Sequence, residues 1–451
     1  MLLDFQVANF RSYHSPKLFS LVASRQEELP ENVMDAKGFD LRVLRSAAVY
    51  GANASGKSNL LHAIWTLGDL IRMGPDAARR EEGNWPPVFA LSEAASREPT
   101  RFEIDFLAQD EAGAWARYEY HLGILVGRVV DEWLNVYPAG GKRQRWFVRE
   151  PADSVPAKLH FSKSLRGAHK SLKKVTPPEM PFLFAAQTFG HPQLSIPAKW
   201  IQRNCYNRFE HSRGTTADRC HRDPSFAAWV SEIMRDADLG IVGVQVERRE
   251  MSQDEIDSRL PPEWRKIFPQ MYQHKVSFSH RTASGTPVLL DMRDESEGTR
   301  RLFELLAPLE VALQQGLVVL VDEMSASLHP MLTQSLIEAF HNPKRNANGA
   351  QLVLTTHDIS LLREDLFRRD QIWFTKKSTA GETELYSLHD FRPRNDVTIQ
   401  KKYLSGRYGG LPLLGVFDFG RVDGAKEKRQ EGQKRQGRKS GKGAPATGAG
   451  S

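Results

Sequence analysis

The chain has 451 residues, of which 40% are hydrophobic and 26% are charged, an ordinary composition for a globular protein. Its length exceeds that of a single compact core of about 250–300 residues, which predicts two domains or one domain with large insertions. No run of about 18 apolar residues exists, which argues against a transmembrane helix. Two cysteines do not make a disulfide framework, which favours a reducing cytoplasm. The formal net charge of +7 lies mostly in residues 421–451, which carry +6, so the other 420 residues carry only +1.

The N-terminal part predicts a hairpin followed by a strand–turn–helix unit. Residues 2–8 alternate between apolar and polar positions, and residues 18–22 suit the hairpin partner. Residues 46–50 are small, apolar and β-branched, which is typical of a buried strand. Residues 59–65 have apolar side chains at helical spacing, and the helix is predicted to run to about Arg72.

The turn between this strand and this helix is Gly51–Ser58, which matches G-x-x-x-x-G-K-[ST] at every fixed position. The backbone N–H groups of such a turn and the N-terminus of the following helix converge on one point, which suits a polyphosphate. Lys57 would reach the β- and γ-phosphates, and the Ser58 hydroxyl would ligate Mg²⁺. The sequence therefore predicts a site for a nucleoside triphosphate and Mg²⁺.

From Thr100 to Val148 the chain is rich in alternating segments, which predicts an antiparallel β meander. The following residues, 150–180, are polar and basic. Their cations are Lys158, Lys163, Arg166, Lys170, Lys173 and Lys174. A run of this kind is either a solvated face or a nucleic-acid contact, and the sequence leaves both interpretations open.

Residues 181–275 contain a predicted helix at 226–237 and a predicted strand at 241–248. Sustained apolar heptads are absent, so we expect no long coiled-coil arm. Two cysteines and two histidines raise the question of a zinc site. They are Cys205, His211, Cys220 and His221. Neither C-x-x-C nor H-x₃₋₅-H spacing is present, which favours scattered core and surface residues.

Residues 317–321 are a continuous apolar run that ends in Asp322-Glu323. This pattern predicts a buried parallel strand, and open α/β sheets place their ligands at the carboxyl ends of such strands. Asp322 is placed to hold Mg²⁺, and Glu323 to act as the base for an attacking water. A second buried strand, residues 351–356, ends in His357, which is interpreted as a γ-phosphate sensor or as a core histidine bonded to the backbone.

An amphipathic helix is predicted at residues 300–313, and the segment Glu295–Thr299 opens it. Ser296 and Gly298 at this start make a second anion-accepting helix N-terminus.

Together these motifs resemble those of the ABC-type ATPases of the RecF/SMC/OLD branch. Gly51–Ser58 is similar to the Walker A motif, and residues 317–323 are similar to Walker B. Ser296–Thr299 looks like a degenerate signature motif. Residues 325–330 stand where the D-loop belongs, and His357 stands where the switch histidine does.

Further segments resemble the stand-alone ATPases of bacterial anti-phage and abortive-infection loci, such as the AbiL, RloA and PARIS ATPase components. These segments are residues 295–299, 370–374, 385–388 and 403–412. Asn9-Phe10-Arg11-Ser12 resembles the opening motif of the branch, and the resemblance spans about residues 1–415. Two features depart from the pattern: the signature reads Ser-Glu-Gly-Thr, and no glutamine clearly occupies the Q-loop, for which Gln187 is the candidate.

The resemblance implies an α/β fold, an ABC-type ATPase head with a mainly parallel P-loop core sheet, an antiparallel β meander and a largely helical insertion. The expected divisions are an N-terminal ATPase lobe at residues 1–150, the insertion at 151–275, a C-terminal ATPase lobe at 276–420 and a disordered basic tail at 421–451.

The resemblance also implies roles for single residues. Mg²⁺ would be held by Ser58, Asp322 and Gln187, with Glu323 and His357 as catalytic residues. A neighbouring subunit's nucleotide would be covered by the signature residues, so each site is completed only in a homo-oligomer. The signature residues are Ser296, Gly298 and Thr299. The residues expected to bind ATP are Arg11, Gly51, Asn53, Ser55, Gly56, Lys57, Ser58 and Asn59.

The implied function is slow ATP hydrolysis by a sensor and scaffold that controls a separately encoded effector, commonly a Toprim nuclease, in response to a phage-encoded trigger. The chain has no acidic cluster of the Toprim type, so the nuclease is expected on another protein. The rival interpretation is a RecF/SMC-like ATPase of DNA repair or DNA clamping, and DNA is accordingly a further candidate partner. No membrane partner is expected.

Two C-terminal segments have open roles. Residues 403–412 are dense in turn residues and aromatics, and are expected either to cap the ATPase sheet or a neighbouring subunit, or to dock the effector. Residues 421–451 are rich in Gly, Lys, Arg and Gln and are predicted to be disordered, as a weak nucleic-acid tether or as a solubilising segment.

Overall fold

The computed structural model describes residues 1–75, 85–110, 112–150, 158–207, 214–237, 240–259, 272–325, 328–391 and 398–410. The described residues all belong to one compact unit. The predicted basic tail at 421–451 lies outside the described residues, as does His211 of the zinc hypothesis.

Strands of the described residues are numbered in chain order. They are β1 (Leu2–Ala8), β2 (Lys17–Ser20), β3 (Val33–Asp35), β4 (Arg42–Leu44), β5 (Ser46–Gly51), β6 (Thr100–Gln109), β7 (Trp115–Leu125), β8 (Arg128–Pro138), β9 (Gln144–Arg149), β10 (Leu159–Phe161), β11 (Ile241–Glu250), β12 (Tyr272–Arg281), β13 (Pro287–Asp291), β14 (Val318–Val321), β15 (Gln351–Thr355), β16 (Ile372–Lys377) and β17 (Thr383–Ser387).

The α-helices of the same residues are numbered likewise. They are α1 (Lys57–Met73), α2 (His169–Lys174), α3 (Phe182–Thr188), α4 (Ser195–Asn204), α5 (Thr215–Arg222), α6 (Pro224–Asp236), α7 (Gln253–Arg259), α8 (Glu297–Gln315), α9 (Pro330–His341) and α10 (Ile399–Leu404). Within the described residues, no helix combines the length and the apolarity needed to cross a bilayer.

The core sheet has five strands in the order β14-β15-β5-β16-β17. All neighbours run parallel except β16 and β17, which form an antiparallel hairpin. Every residue of β5, β14 and β15 is buried, because helices or a second sheet cover both faces. The two buried parallel strands predicted around residues 317–321 and 351–356 are confirmed.

The two faces of the core sheet pack into two separate hydrophobic cores. Ala47 and Val49 of β5 lie in one core with the apolar side chains of α1 and of the seven-stranded sheet. Ala48 and Tyr50 lie in the other core with those of α8 and α9. Alternate side chains of one apolar strand therefore join two layers of the protein together.

The antiparallel sheet has seven strands in the order β10-β9-β8-β7-β6-β1-β2. It contains the predicted N-terminal hairpin, in which Phe5 pairs with Phe19, and the predicted meander, whose strands β6 to β9 are consecutive neighbours. Trp200 of α4 stacks on Phe106 of β6 with ring centroids 4.0 Å apart, so the helical segment is attached to this sheet.

The segment between the meander and the core strands is mostly helical, and the predicted helix at 226–237 is α6, capped by the Asp223 carboxylate. The predicted strand at 241–248 is β11, which forms a three-stranded sheet with β12 and β13. Cys205 and Cys220 are buried free thiols, and burial raises the pKa of Cys220 to about 11. Among the described residues, no group of three or more His, Cys, Asp or Glu is arranged to hold a metal.

The C-terminal element packs on the core sheet of its own chain. Tyr408 is 2% exposed, and its ring stacks on Phe374 of β16 with centroids 5.3 Å apart. The Tyr403 hydroxyl donates a hydrogen bond to the Gly410 carbonyl at 3.1 Å. These contacts support the sheet-capping interpretation for residues 403–410, while residues 411 and 412 of the element lie outside the described residues.

Candidate nucleotide site

The predicted phosphate loop runs from the end of β5 at Gly51 to the start of α1 at Lys57. Gly56 precedes α1 with a φ of 110°, a conformation that L side chains rarely adopt. A Cβ on Gly56 would lie 2.8 Å from Cγ2 of Thr383, so only glycine allows this close approach. Ala54 is also left-handed, with φ 61°, which helps successive N–H groups of the loop to converge on one point.

The side chain of Lys57 is held inside this loop. Its Nζ donates hydrogen bonds to the carbonyl oxygens of Gly51 at 2.9 Å and Ala52 at 3.0 Å, and the residue is 5% exposed. Burial lowers the pKa of the Lys57 ammonium group, while the charges of Glu323 and Asp322 act in the opposite direction. A buried cation therefore lies where the sequence predicted a phosphate contact.

The two residues predicted to ligate Mg²⁺ meet in the structure. The Ser58 hydroxyl donates a hydrogen bond to Oδ1 of Asp322 at 3.0 Å. Asp322 directly follows β14, and β15 separates β14 from β5, so the parallel sheet brings both side chains to one edge. The Thr355 hydroxyl at the end of β15 donates to the same Asp322 oxygen at 2.5 Å.

Glu323, the predicted base, is exposed and has a left-handed backbone with φ 47°. This conformation is uncommon for residues other than glycine and is concentrated at functional sites. Its backbone N–H donates to Oγ1 of Thr355 at 2.8 Å. The carboxylate is thereby presented to solvent next to Asp322, where it can accept a proton from a water.

These residues fit ATP and Mg²⁺ by their chemistry. Ser58 and Asp322 supply the hard oxygen atoms that Mg²⁺ prefers. The glycine loop and the N-terminus of the 17-residue helix α1 supply backbone N–H groups for a polyphosphate, and Lys57 supplies a cation. The arrangement can therefore bind a nucleoside triphosphate and place a carboxylate beside it.

A set of polar contacts that the sequence did not predict holds the phosphate loop from outside. Oγ1 of Thr383, on β17, lies 2.8 Å from both Ser12 Oγ and the Ser55 carbonyl oxygen. The Asn59 side chain donates to Ser12 Oγ at 2.8 Å. Ser12 of the N-terminal motif and Thr383 of the β16–β17 hairpin thus form one hydrogen-bond network with the phosphate loop.

Two further buried side chains touch the loop. The Tyr13 hydroxyl donates to the Gly56 carbonyl at 3.0 Å, and Thr375 Oγ1 lies 2.6 Å from Ser55 Oγ. The sequence offered one signal for Thr375 and for Thr355: each is a polar residue within an apolar strand that neighbours the phosphate-loop strand. Tyr13 and Thr383 carry no local signal, because distant segments bring them to the loop.

Two other predicted nucleotide contacts lie at the same place. Arg11 precedes Ser12 and has a left-handed φ of 48°, and its Nε is buried without a hydrogen-bond partner among the described residues. Asn53 is exposed within the loop. Neither side chain has a described contact that assigns it to a phosphate.

The signature residues lie at the start of α8, where Ser296 is the N-cap. Ser296 Oγ accepts a hydrogen bond from the Thr299 backbone N–H at 3.1 Å and lies 2.8 Å from Thr299 Oγ1. Ser296 is exposed and Gly298 is partly buried. Thr299 is buried, and the described side-chain hydrogen bonds of Ser296 and Thr299 join these two residues to each other and not to the phosphate loop.

His357 is exposed two residues after the end of β15. This position excludes the interpretation as a core histidine. The neighbouring Asp358 N–H donates to Thr356 Oγ1 at 2.9 Å, which attaches the segment to the strand end. Of the D-loop residues 325–330, residues 326 and 327 lie outside the described residues.

Gln187 is not brought to the phosphate loop, so its assignment as a Mg²⁺ ligand is not supported. It lies on α3, and Phe184 of α3 packs against Gly74, which ends α1 at the opposite end from Lys57. A helix of this length spans about 25 Å. The apolar run before Gln187 marks a buried helix, not a loop that reaches the nucleotide.

The fold and this site define an ABC-type ATPase head with a P-loop core sheet. A protein-family model described as "AAA domain, putative AbiEii toxin, Type IV TA system" matches residues 46–166 and 241–363, which is more than half of the chain. The chain belongs to this family. No curated protein matches the chain at a significant level.

Several solved structures are similar to this chain at low sequence identity. The SmcHead bound to the C-winged helix domain of ScpA is 16% identical, with TM-score 0.36 over 89% of this chain and 99% of that one. The SMC head domain from Thermotoga maritima is 13% identical, with TM-score 0.37 over 86% and 98%. The recombination mediator protein RecF-ATPrS in the RecFOR pathway is 14% identical, with TM-score 0.32 over 85% and 98%.

Proposed function

We propose that the protein is an ABC-type ATPase that binds and slowly hydrolyses ATP in composite sites of an oligomer, and thereby controls a separately encoded effector in anti-phage defence. The observation that carries the ATPase part is the meeting of Ser58 and Asp322 beside the buried Lys57, with Glu323 exposed next to them.

Each residue of the site has a defined task in this proposal. Lys57 exchanges its two carbonyl partners for phosphate oxygens, and Ser58 and Asp322 hold Mg²⁺. When bound, Mg²⁺ neutralises charge on the phosphates. Glu323 takes a proton from the attacking water, and His357 contacts the γ-phosphate. Turnover below about 10 s⁻¹ would suit a switch better than a metabolic enzyme.

The position of the signature helix supports the proposal of an oligomer. Ser296 and Glu297 at the start of α8 are exposed and Gly298 is partly buried, and the N-terminus of a 19-residue helix can present N–H groups to an anion. The anion would be the nucleotide held by Lys57 of another subunit. Two subunits are the smallest assembly in which each completes the other's site.

The control of an effector is supported by the family and by the motifs that resemble anti-phage ATPases. The family description names a putative toxin and a type IV TA system. The motifs found here are those of nucleotide binding and hydrolysis, so we assign the toxic activity to another cytoplasmic protein, with a Toprim nuclease as the expected class. A phage-encoded product would act as the trigger, and the ATPase would hold the effector until that product arrives.

Subunit mixing tests the composite site. Lys57→Ala removes nucleotide binding from one subunit, and Ser296→Arg blocks the signature of the other. Co-expressed, each mixed pair keeps one intact site, so ATPase activity should return, whereas either variant alone should be inactive. No activity from mixed subunits, or full activity of a wild-type monomer in light scattering, would contradict the proposal.

The effector link has its own experiment. The tagged ATPase is purified together with the product of the neighbouring gene, as wild type and as Glu323→Gln, which should keep ATP bound. Capture that depends on nucleotide state, and that disappears in Lys57→Ala, supports control of an effector. Equal capture by all three proteins would leave ATP without a role in holding it.

A second candidate function, a RecF/SMC-like ATPase that clamps DNA, is favoured by one surface. We call residues 158–174 the basic strip. It has six Lys or Arg residues and no Asp or Glu, whereas residues 1–420 carry only +1 in total, so the residues outside the strip sum to −5. All six cations are exposed, and none forms an ion pair with a described residue. The strip borders a groove of about 620 Å³ that Phe161 and His169 line.

Charge reversal tests this candidate. Lys163→Glu combined with Lys170→Glu should abolish duplex DNA binding that weakens steeply with salt, since each phosphate contact releases a counterion. Lys344→Glu, another exposed lysine outside the strip, is the matched control. DNA binding that is unaffected by the double substitution would exclude the strip as the clamp.

A further inference from the structure

The residues that follow β14, 322–325, are called the carboxylate segment. The end of β15 contacts this segment through the side chain of Thr355, which belongs to none of the predicted motifs. Thr355 is fully buried, with 0% exposure. Its hydroxyl donates to Oδ1 of Asp322 at 2.5 Å and accepts the Glu323 backbone N–H at 2.8 Å. One hydroxyl group is therefore bonded to the Mg²⁺ ligand and to the residue assigned as the base.

The contacts continue along the next residues. Backbone pairing of β14 with β15 ends at Val321 and Leu354. Beyond that point the Thr355 carbonyl accepts the Met324 N–H at 3.2 Å, and Thr356 Oγ1 lies 2.6 Å from Ser325 Oγ. The four residues that follow β14 are thus each bonded to Thr355 or Thr356.

The direction of these bonds is fixed by the number of protons. A threonine hydroxyl has one proton, and an ionised carboxylate can only accept, so that proton goes to Asp322. A lone pair of the same oxygen is then left for the Glu323 N–H. The described hydrogen bonds to Asp322 both end on Oδ1, and Oδ2 has no hydrogen bond among the described residues.

We propose that Thr355 is a positioning residue that fixes Asp322 and Glu323 relative to each other. It holds Asp322 in the orientation that shares Oδ1 with Ser58, and it holds Glu323 at its left-handed φ of 47°. β15 then sets the geometry of the metal ligand and the base together with β14, the strand that they follow. This inference rests on the proposed ATPase function.

The test compares Thr355→Val, which removes the hydroxyl at similar volume, with Thr355→Ser, which keeps it. Thr333→Val is the matched control, because Thr333 is also 0% exposed but lies on α9. The first measurement is amide hydrogen exchange of residues 322–325 in nucleotide-free protein. Loss of a bond to a charged group predicts exchange at least about tenfold faster in Thr355→Val, with wild-type rates in the other two variants.

The second measurement is the Mg²⁺ concentration that gives half-maximal ATPase activity. It should rise about tenfold in Thr355→Val and return in Thr355→Ser, while binding of a fluorescent ATP analogue in EDTA stays unchanged. If Thr355→Val does not fold, Thr355→Ala replaces it in both measurements. Wild-type exchange and wild-type Mg²⁺ dependence in the hydroxyl-free variant would overturn the inference.

The two proposals fail in different ways. If wild-type protein neither binds nor hydrolyses ATP, the proposed function fails, and the exchange measurement then decides on Thr355 alone. If wild-type protein is an ATPase and the hydroxyl-free variant matches it in exchange and in Mg²⁺ dependence, the function stands and the positioning role does not.

Discussion

Ser58 donates a hydrogen bond to Asp322 at 3.0 Å although 264 residues separate them in sequence. Ser58 is the second residue of α1, which follows the phosphate loop, and Asp322 follows β14, an edge strand of the core sheet. Their meeting depends on β15, which lies between the two strands that carry them. The site is therefore a property of the assembled sheet, and substitutions in it separate binding from chemistry.

Lys57→Ala and Glu323→Gln should have opposite effects on nucleotide occupancy. Lys57→Ala removes the buried cation, so ATP binding should be lost. Glu323→Gln keeps the volume of the side chain but cannot accept a proton, so ATP should stay bound while turnover falls by about 100-fold or more. Equilibrium binding of a fluorescent ATP analogue and phosphate release measure the two effects. The exposed Glu384→Gln is the control, and turnover at the wild-type rate in Glu323→Gln would show that the base is another group.

Gly56→Ala should prevent the phosphate loop from forming. The substitution adds the cost of a left-handed backbone, about 1 kcal/mol, and an overlap with Thr383 that costs about 1–3 kcal/mol more. Gly113→Ala is the matched control, because Gly113 has a φ of 82° but no atom within 4 Å of the added Cβ. In urea unfolding, Gly56→Ala should lower the free energy of unfolding more than Gly113→Ala does, and Gly56→Ala should also lose ATP binding. Equal losses in the two variants would mean that Thr383 does not constrain the loop.

Tyr408→Ala should destabilise the fold. Tyr408 is buried between Phe374 and Phe391, with centroid distances of 5.3 Å to each ring, and removing a buried aromatic ring costs about 3–5 kcal/mol. Of the interpretations left open by the sequence for residues 403–412, these contacts support capping of the ATPase sheet. Urea unfolding tests this, with the 56% exposed Leu404→Ala as control. A wild-type midpoint for Tyr408→Ala would show that the element is not part of the core.

Stability should fall as the pH drops from 6.5 towards 3 because of His341. Burial, assisted by the charge of Arg45, lowers the pKa of His341 from 6.5 to about 3, and its Nε2 lies 2.7 Å from Ser46 Oγ at the start of β5. The unfolded chain then binds a proton in this window and the folded protein does not. The contribution of neutral His341 to the free energy of unfolding is complete above pH 6.5. It is lost progressively down to about pH 3, by at most about 1.4 kcal/mol per pH unit.

His341→Gln should flatten this part of the pH dependence. Urea midpoints between pH 4 and 7 measure the slope, and the exposed His389→Gln controls for the loss of a histidine as such. The same slope in wild type and His341→Gln would show that His341 does not set the acid limit.

The sequence predicted those parts of the fold that have local signals. The glycine loop at Gly51–Ser58, the apolar runs of β14 and β15 and the alternation of the meander each depend on neighbouring residues, and all are present. The meeting of Ser58 with Asp322 was also predicted, because parallel strands place their carboxyl ends at one edge.

The rest of the site depends on contacts between distant segments, which carry no local pattern. Thr383 and Tyr13 reach the loop only because β17 and the N-terminal motif fold beside it. Thr355 lies in a predicted strand, but its bonds to the carboxylate segment require the pairing of β14 with β15. The assignment of Gln187 is not supported because its local signal was not specific: an apolar run before a glutamine is common to many buried helices.

The strand order of the core sheet has a consequence for how the protein is made. Both neighbours of β5 in the sheet, β15 and β16, are translated about 300 residues after β5 itself. At about 5–20 residues per second, β5 waits about 15–60 s for them. The meander needs no such delay, because its strands follow one another along the chain. A polypeptide truncated before β15 would therefore contain the whole phosphate loop yet lack the strand that aligns it with Asp322, so its nucleotide site would be incomplete.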